Sequence, residues 1–274
     1  DLSNAISSFL SVAESLLSDA NYHIRLATSS VLDKISDLSI LEQFNSGLQS
    51  FFHSLCYKCI LSEDPKILEY GCFSCGSFFR RIGIFDATNF VRTLERLFLL
   101  TNSSSNFSVY QTIFSTIMDL IENCPTSCHN ILIEAANTIF LRMKMTIPMN
   151  KILSSAAATL LSLLCQTLNT TLSAMDQTAI VGMKDDLFSL LPLIFHCEAL
   201  LEDGLLLVRS LVTSLGPLLA PVLAPVTALC RPHLETLPGD QAGRARAVVG
   251  LLGDLCARRS AGRRVGQGCG GRGS

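Results

Sequence analysis

A pair of helix-sized apolar stretches divided by a polar turn recurs along this chain, and that recurrence restricts its fold more than any other feature. Ile6, Phe9, Leu10, Val12, Ala13, Leu16 and Leu17 return at three- and four-residue spacing, which places them on one face of a helix. Ser18-Asp19-Ala20-Asn21 interrupts with cap-forming residues, and Ile24, Leu26, Ala27, Val31, Leu32 and Ile35 then mark the apolar side of a second helix. A helix over 48–61, the turn Ser62-Glu63-Asp64-Pro65 and a helix over 67–82 repeat the arrangement, and Asn21 to Asp64 is 43 residues. Further pairs fit at 89–100 with 110–123, 128–145 with 150–172, 178–200 with 203–215, and 218–234 with 243–259. No segment shows sustained strand-type alternation between hairpin turns.

A period of about 40–47 residues built from helix pairs is that of HEAT and armadillo repeats. One pair cannot bury its apolar stripe alone, so neighbours must stack into a continuous core. The expected fold is all-α: a right-handed superhelical solenoid of about six antiparallel helix pairs over 1–259, with the second helix of each pair on the concave side. Composition agrees. Short Leu-rich helices need few aromatic residues, and aromatics are 7 % of the chain, with no Trp. Charged residues are 16 %, against about 25 % in ordinary soluble domains. The formal charge of −2 excludes a polybasic nucleic-acid binder, and 49 % apolar content excludes a largely disordered chain.

Composition shifts after Phe195: no Ile, Phe, Lys, Asn, Met or Tyr follows, and every cation is Arg. Residues 1–195 carry 12 cations and 17 anions, whereas 196–274 carry 9 and 6. Helical pairing continues through the shift, so it marks no domain boundary. Residues 260–274, rich in Gly and Arg, have no apolar period and read as a disordered tail. With no initiating Met or signal pattern, the chain reads as part of something longer. Two uncharged stretches raise the question of a membrane span. Ile152–Met175 holds too many hydroxyls and amides, and Ser210–Cys230 is broken by Pro217, Pro221 and Pro225.

Eleven cysteines, an odd number spread along the chain, point to a reducing cytosolic or nuclear compartment rather than a disulfide scaffold. The sequons at Asn102, Asn106 and Asn169 are then chance matches. Cys56-x-x-Cys59 and Cys72-x-x-Cys75, twelve residues apart, have the spacing of a tetrahedral zinc site. Both pairs nevertheless lie inside apolar helical runs, where free Cys behaves as a small buried hydrophobe, so no metal is expected there. Cys124, Cys128 and His129 around Pro125 read as a turn. No nucleophile elbow, phosphate-binding Gly loop or His-Glu-x-x-His occurs, and adjacent Asp185-Asp186 and Glu202-Asp203 point about 100° apart on a helix. Neither an enzyme nor a cofactor is expected.

Particular motifs carry a resemblance. Val248-Val249-Gly250-Leu251-Leu252-Gly253-Asp254-Leu255-Cys256 resembles an inner helix of the importin-β family of nuclear import receptors, as does Glu202-Asp203-Gly204-Leu205-Leu206-Leu207-Val208 with Leu211-Val212 and Leu215-Gly216. Leu163-Leu164-Cys165-Gln166-Thr167-Leu168 is similar to the family's helix two repeats before the Gly-Asp-Leu-Cys run. Tyr110 through Met118 to Ile121 and Asn123, then Cys128 with Thr138, Ile139 and Arg142, continue the likeness. In order and spacing these cover about Ser18 to Arg258, six consecutive repeats.

The resemblance implies a transport receptor of the cytoplasm, nucleus and nuclear pore. Its implied partners are an importin-α-type adaptor or basic cargo signal, Ran-GTP, and Phe-Gly nucleoporins. It also implies contact residues on second helices: Ser30, Asp33, Glu69, Phe73, Glu122, Arg209 and Asp254. Ser30 and Phe73 fall where the family carries Trp platforms for a basic helix; Phe73 keeps an apolar surface with weaker cation–π attraction, and Ser30 does not. A generic HEAT scaffold of the phosphatase or assembly-platform type shares the periodicity without the ordered motifs, and a four-cysteine zinc module is the remaining alternative.

Overall fold

A computed structural model describes residues 2–83, 87–103, 107–124, 128–147, 154–215 and Ala228. Among them the regular structure is entirely helical. The chain divides into two units, 1–131 and 132–274.

The first unit holds three helix pairs: α1 (Leu2–Leu16) with α2 (Tyr22–Ser36), α3 (Ser46–Ile60) with α4 (Pro65–Ile82), and α5 (Ala87–Ser103) with α6 (Phe107–Glu122). Side-chain caps start the helices, at Asn21 and Asp64 from turns read in the sequence and at Asn45 from one that was not. Asn21 accepts from His23 N–H, Asn45 from Leu48 N–H, and Asp64 from both Lys66 and Ile67 N–H, satisfying donors that lack an intrahelical partner. Pro65 takes the first position of α4, where its missing N–H costs nothing, and Gly83 (φ 74°) ends it by donating to Phe79 O.

Within this unit the second helices α2, α4 and α6 pack in a row, with α3 against α4 and α5 against α6. The core between them centres on Phe52, Phe78, Phe79 and Phe90, all at most 1 % exposed, with Phe78 and Phe79 meeting edge to face at 5.6 Å. Each such ring contributes about 1.5–3 kcal/mol relative to an exposed one. Helices α3 and α4 approach closely because residue 71 is glycine: a Cβ there would lie 2.8 Å from both Cys59 Cβ and Ile60 N.

The repeat period returns as polar contacts. Lys58 Nζ donates to Ser18 Oγ at 2.8 Å across 40 residues, and Arg81 Nη2 donates to Asp37 O at 2.7 Å across 44. The Thr116 hydroxyl lies 3.2 Å from Cys72 O, also across 44.

The second unit takes in α7 (His129–Thr146) from Leu132 onward, α8 (Ser155–Ala174), the short α9 (Gln177–Gly182), α10 (Lys184–Phe195) and α11 (Leu201–Leu215). On α7, Leu132, Ala135, Ala136, Ile139, Phe140 and Met143 form the buried stripe, and on α8 the stripe is Leu161, Leu164, Cys165, Leu168 and Leu172. Helix α8 packs against α11, and Lys144 of α7 meets Asp186 of α10 at 2.9 Å.

Three boundaries differ from the sequence expectation. The helix expected over 150–172 starts at Ser155, because Ser154 accepts from Ala157 N–H and caps it. The helix expected over 178–200 is two, broken at Met183; Lys184-Asp185-Asp186 then opens α10 with two carboxylates at its positive end. That helix ends at Phe195, three residues past Pro192, and a 3-10 turn over Glu198–Leu200 leads into α11. The sixth expected pair, 218–234 with 243–259, and the 260–274 tail lie outside the described residues. None of the described helices is long and apolar enough to cross a membrane.

Candidate partner-binding face of the second helices

Helix α4 is two-faced. Ile67, Leu68, Gly71, Cys72, Cys75, Phe78 and Phe79 are buried, which leaves Lys66, Phe73, Ser77 and Arg80 along the opposite side at positions i, i+7, i+11 and i+14. Phe73 stands out: it is 47 % exposed, so this ring is not a core residue. Neighbouring α2 exposes Val31 and Lys34, and α6 exposes Gln111, Ser115 and Glu122.

The charges of this face are layered. Lys34 Nζ lies 3.3 Å from Asp33 Oδ2, with side-chain exposures of 77 % and 11 %. Lys66 Nζ lies 2.6 Å from Glu69 Oε2, at 66 % and 10 %. Arg80 Nε lies 3.7 Å from Asp119 Oδ1, at 57 % and 22 %. In each case the carboxylate is beneath and the cation outside. Burial pushes the Asp33 carboxyl above the usual carboxylate range, against the opposing hydrogen bond from Lys34. Asp119 is raised in the same way by burial, with Arg80 opposing and Glu122 adding. The hydrogen bond from Lys66 to Glu69 raises the lysine.

The residues expected to touch a partner are therefore not equivalent. Phe73, Glu122 and Arg209 (on α11, in the second unit) are exposed; Ser30 is half-buried on α2; Asp33 and Glu69 are 8 % exposed and hold lysines. Asp254 lies outside the described residues. Sequence reading passed over Lys34, Lys66 and Arg80, although the i,i+3 spacing of Lys66 and Glu69 signalled one of the pairs. In the second unit Asp203, at the start of α11, accepts from Gln166 Nε2 of α8 at 3.4 Å, and burial raises its carboxyl.

Cys56 and Cys59 on α3 face Cys72 and Cys75 on α4, all four at most 2 % exposed. Burial pushes the Cys59 thiol up to about 12 and raises Cys56 and Cys72 further. Among the described residues no three His, Cys, Asp or Glu side chains gather as a metal site. A cavity of about 250 Å³ opens among the first helices, where Arg92 lies over the Tyr57 ring at 4.5 Å beside Lys58, Glu14 and buried His53.

The class this architecture defines is the all-α HEAT-type solenoid of stacked helix pairs. Importin-β solved in an ammonium sulfate condition is similar over 93 % of this chain and 31 % of its own, with TM-score 0.79 and 15 % identity. Kap95p in complex with RanGDP is similar over the same shares, with TM-score 0.74 and 15 % identity. An engineered protein also resembles the chain, over 90 % of it and 97 % of its own length, with TM-score 0.58 and 11 % identity. The chain thus spans about a third of the importin-β chains it matches and nearly all of an engineered one. No family model matches the sequence. No curated protein matches it either. The likeness is one of fold: importin-β-like HEAT repeats.

Proposed function

We propose that this chain is a segment of a nucleocytoplasmic transport receptor of the importin-β kind, a binding protein without chemistry of its own. The observation that carries the reading is the coverage of 93 % of the chain by importin-β at TM-score 0.79, joined to sequence motifs that run in the family's order. On this reading the second helices present contact residues to a cargo or adaptor and to Ran in its GTP form, Phe-Gly nucleoporins engage grooves between first helices, and the protein moves between cytoplasm and nucleus through the pore. Because most of the length of such a receptor lies beyond this segment, its affinities for these partners are weak.

The test is a pull-down of purified chain with Ran loaded with a non-hydrolysable GTP analogue and, separately, with GDP. An unrelated HEAT fragment of similar length serves as reference. Retention of the GTP form above both the GDP form and the reference supports the reading. Equal retention by the two HEAT proteins removes it and favours a generic HEAT scaffold, which the similarity to an engineered protein would also accommodate.

A further inference from the structure

Two arginines of α5, Arg92 and Arg96, form no ion pair and no hydrogen bond among the described residues. Arg92 lines the cleft of about 250 Å³ between the first helices, together with Glu14 of α1 and Tyr57 and Lys58 of α3. Its guanidinium lies over the Tyr57 ring at 4.5 Å, a contact that gives its N–H groups no oxygen acceptor. Thr93 meets buried His53 of α3 at 3.2 Å, so the flank of α5 between Arg92 and Thr93 faces α3. Arg96 follows Arg92 by four residues and Thr93 by three, which continues that flank one turn further. It is half-buried, and its Nε is buried without a hydrogen-bond partner. Such a group has lost water without gaining an acceptor, a cost that a bound anion recovers. Lys58 Nζ, 3.7 Å from Glu14 Oε1 and 2.8 Å from Ser18 Oγ, is the third cation. Against these three stand Glu14, which lines the cleft, and Glu95, exposed on α5 and turned about 100° from Arg96. The balance is positive, and neither arginine is neutralised by a carboxylate in contact.

We propose that this first-helix cleft binds a phosphate monoester through Arg92 and Arg96, with Lys58 at its edge. A phosphate monoester carries close to two charges and three acceptor oxygens. That matches two guanidinium forks whose Cβ atoms lie about 6 Å apart at i,i+4 spacing better than a single carboxylate does. The monoester is borne by a phosphorylated side chain of a partner or by a small phosphorylated molecule; the two sources share this chemistry. Glu14 opposes binding, both by its charge and by holding Lys58. The inference uses no residue of the second-helix face. A Phe-Gly segment carries no charge, so its docking between first helices satisfies neither arginine. The Ran pull-down and the phosphate experiment below therefore succeed or fail separately.

The experiment titrates the full chain, by calorimetry at about 0.1 M chloride, with phenyl phosphate, with benzoate, and with a twelve-residue Gly/Ala/Ser peptide with and without one phosphoserine. The expected result is that both phosphate probes bind at least about tenfold more tightly than benzoate and the unmodified peptide. A phosphopeptide at least as tight as phenyl phosphate assigns the site to a phosphorylated partner; tighter phenyl phosphate assigns it to a small molecule. Arg92→Gln and Arg96→Gln each weaken phosphate binding at least about fivefold, Glu14→Gln strengthens it, and Lys184→Gln, in the second unit, leaves it unchanged. Urea unfolding without phosphate separates a binding role from a structural one: Arg96 makes no hydrogen bond to lose, so Arg96→Gln leaves the midpoint near that of the parent. Arg92 is exposed, so its variant tests the proposal even if Arg96→Gln destabilises the chain. Benzoate or the unmodified peptide binding as tightly as the phosphate probes overturns the proposal. So does phosphate binding indifferent to Arg92→Gln, or no phosphate binding at about 1 mM.

Discussion

A Cβ on residue 71 would stand 2.8 Å from the backbone nitrogen of Ile60, so glycine at this position sets how closely α4 lies against α3. The obstacle is main chain, which cannot swing aside. Gly71→Ala is expected to destabilise the protein by about 1–3 kcal/mol despite alanine's better helix propensity. Gly76 is the contrast: its Cβ would meet Asp119 Oδ2 at 2.8 Å, the movable tip of a side chain. Gly76→Ala is expected within about 1 kcal/mol of the parent. Urea unfolding of the two variants measures the difference, and equal effects would refute this account of the α3–α4 approach.

Asp64 holds the start of α4 through two hydrogen bonds, to Lys66 N–H at 2.9 Å and Ile67 N–H at 3.1 Å. Asp64→Ala should cost about 1 kcal/mol, while Asp64→Asn, which can still cap, should cost less. Denaturant midpoints at constant slope provide the measurement.

Asp33 gives a pH test. Burial raises its carboxyl above the ordinary 3.8, so the folded state favours the protonated form. Its contribution to stability is therefore greatest below pH 3.8 and is lost as pH rises through the raised value. Asp33→Asn removes the titration. The stability of that variant relative to the parent should rise between about pH 3 and about pH 7; a relative fall over that interval would mean that the Lys34 contact outweighs burial.

The Cys59 thiol, pushed up to about 12, and the more strongly raised Cys56 and Cys72 should resist alkylation in the native protein. At about pH 8 a thiol of that kind is about a thousandfold poorer in thiolate than a free one, and burial excludes the reagent as well. Mass spectrometry after iodoacetamide should find these three modified only once urea has unfolded the chain. Rapid native labelling of Cys59 would show that α3 and α4 separate readily.

The helix pairs, their period and most of their starts were legible in the sequence because they rest on local physics. Asn21 and Asp64 cap in place through side chains acting two or three residues away, and stripes such as Leu132 to Met143 need only the 3.6-residue repeat. Local signals also misled: Met183 divides a stretch that is apolar on both sides, and periodicity alone runs through it. Which side chains of α4 stay on its open face was decided by tertiary structure. This helix packs against α2, α3 and α6 together, so Phe78 and Phe79 go inside while Phe73, chemically identical, stays out. The same packing buries Asp33 and Glu69, which sequence placed at a contact surface, and leaves their lysines outside. The sequence by itself determines where most of the helices begin and which stripe is apolar, since those are set within a few residues. Which polar groups remain on the open face follows from neighbours some 40 residues away, whose approach sets burial, and burial sets the charge which that face presents.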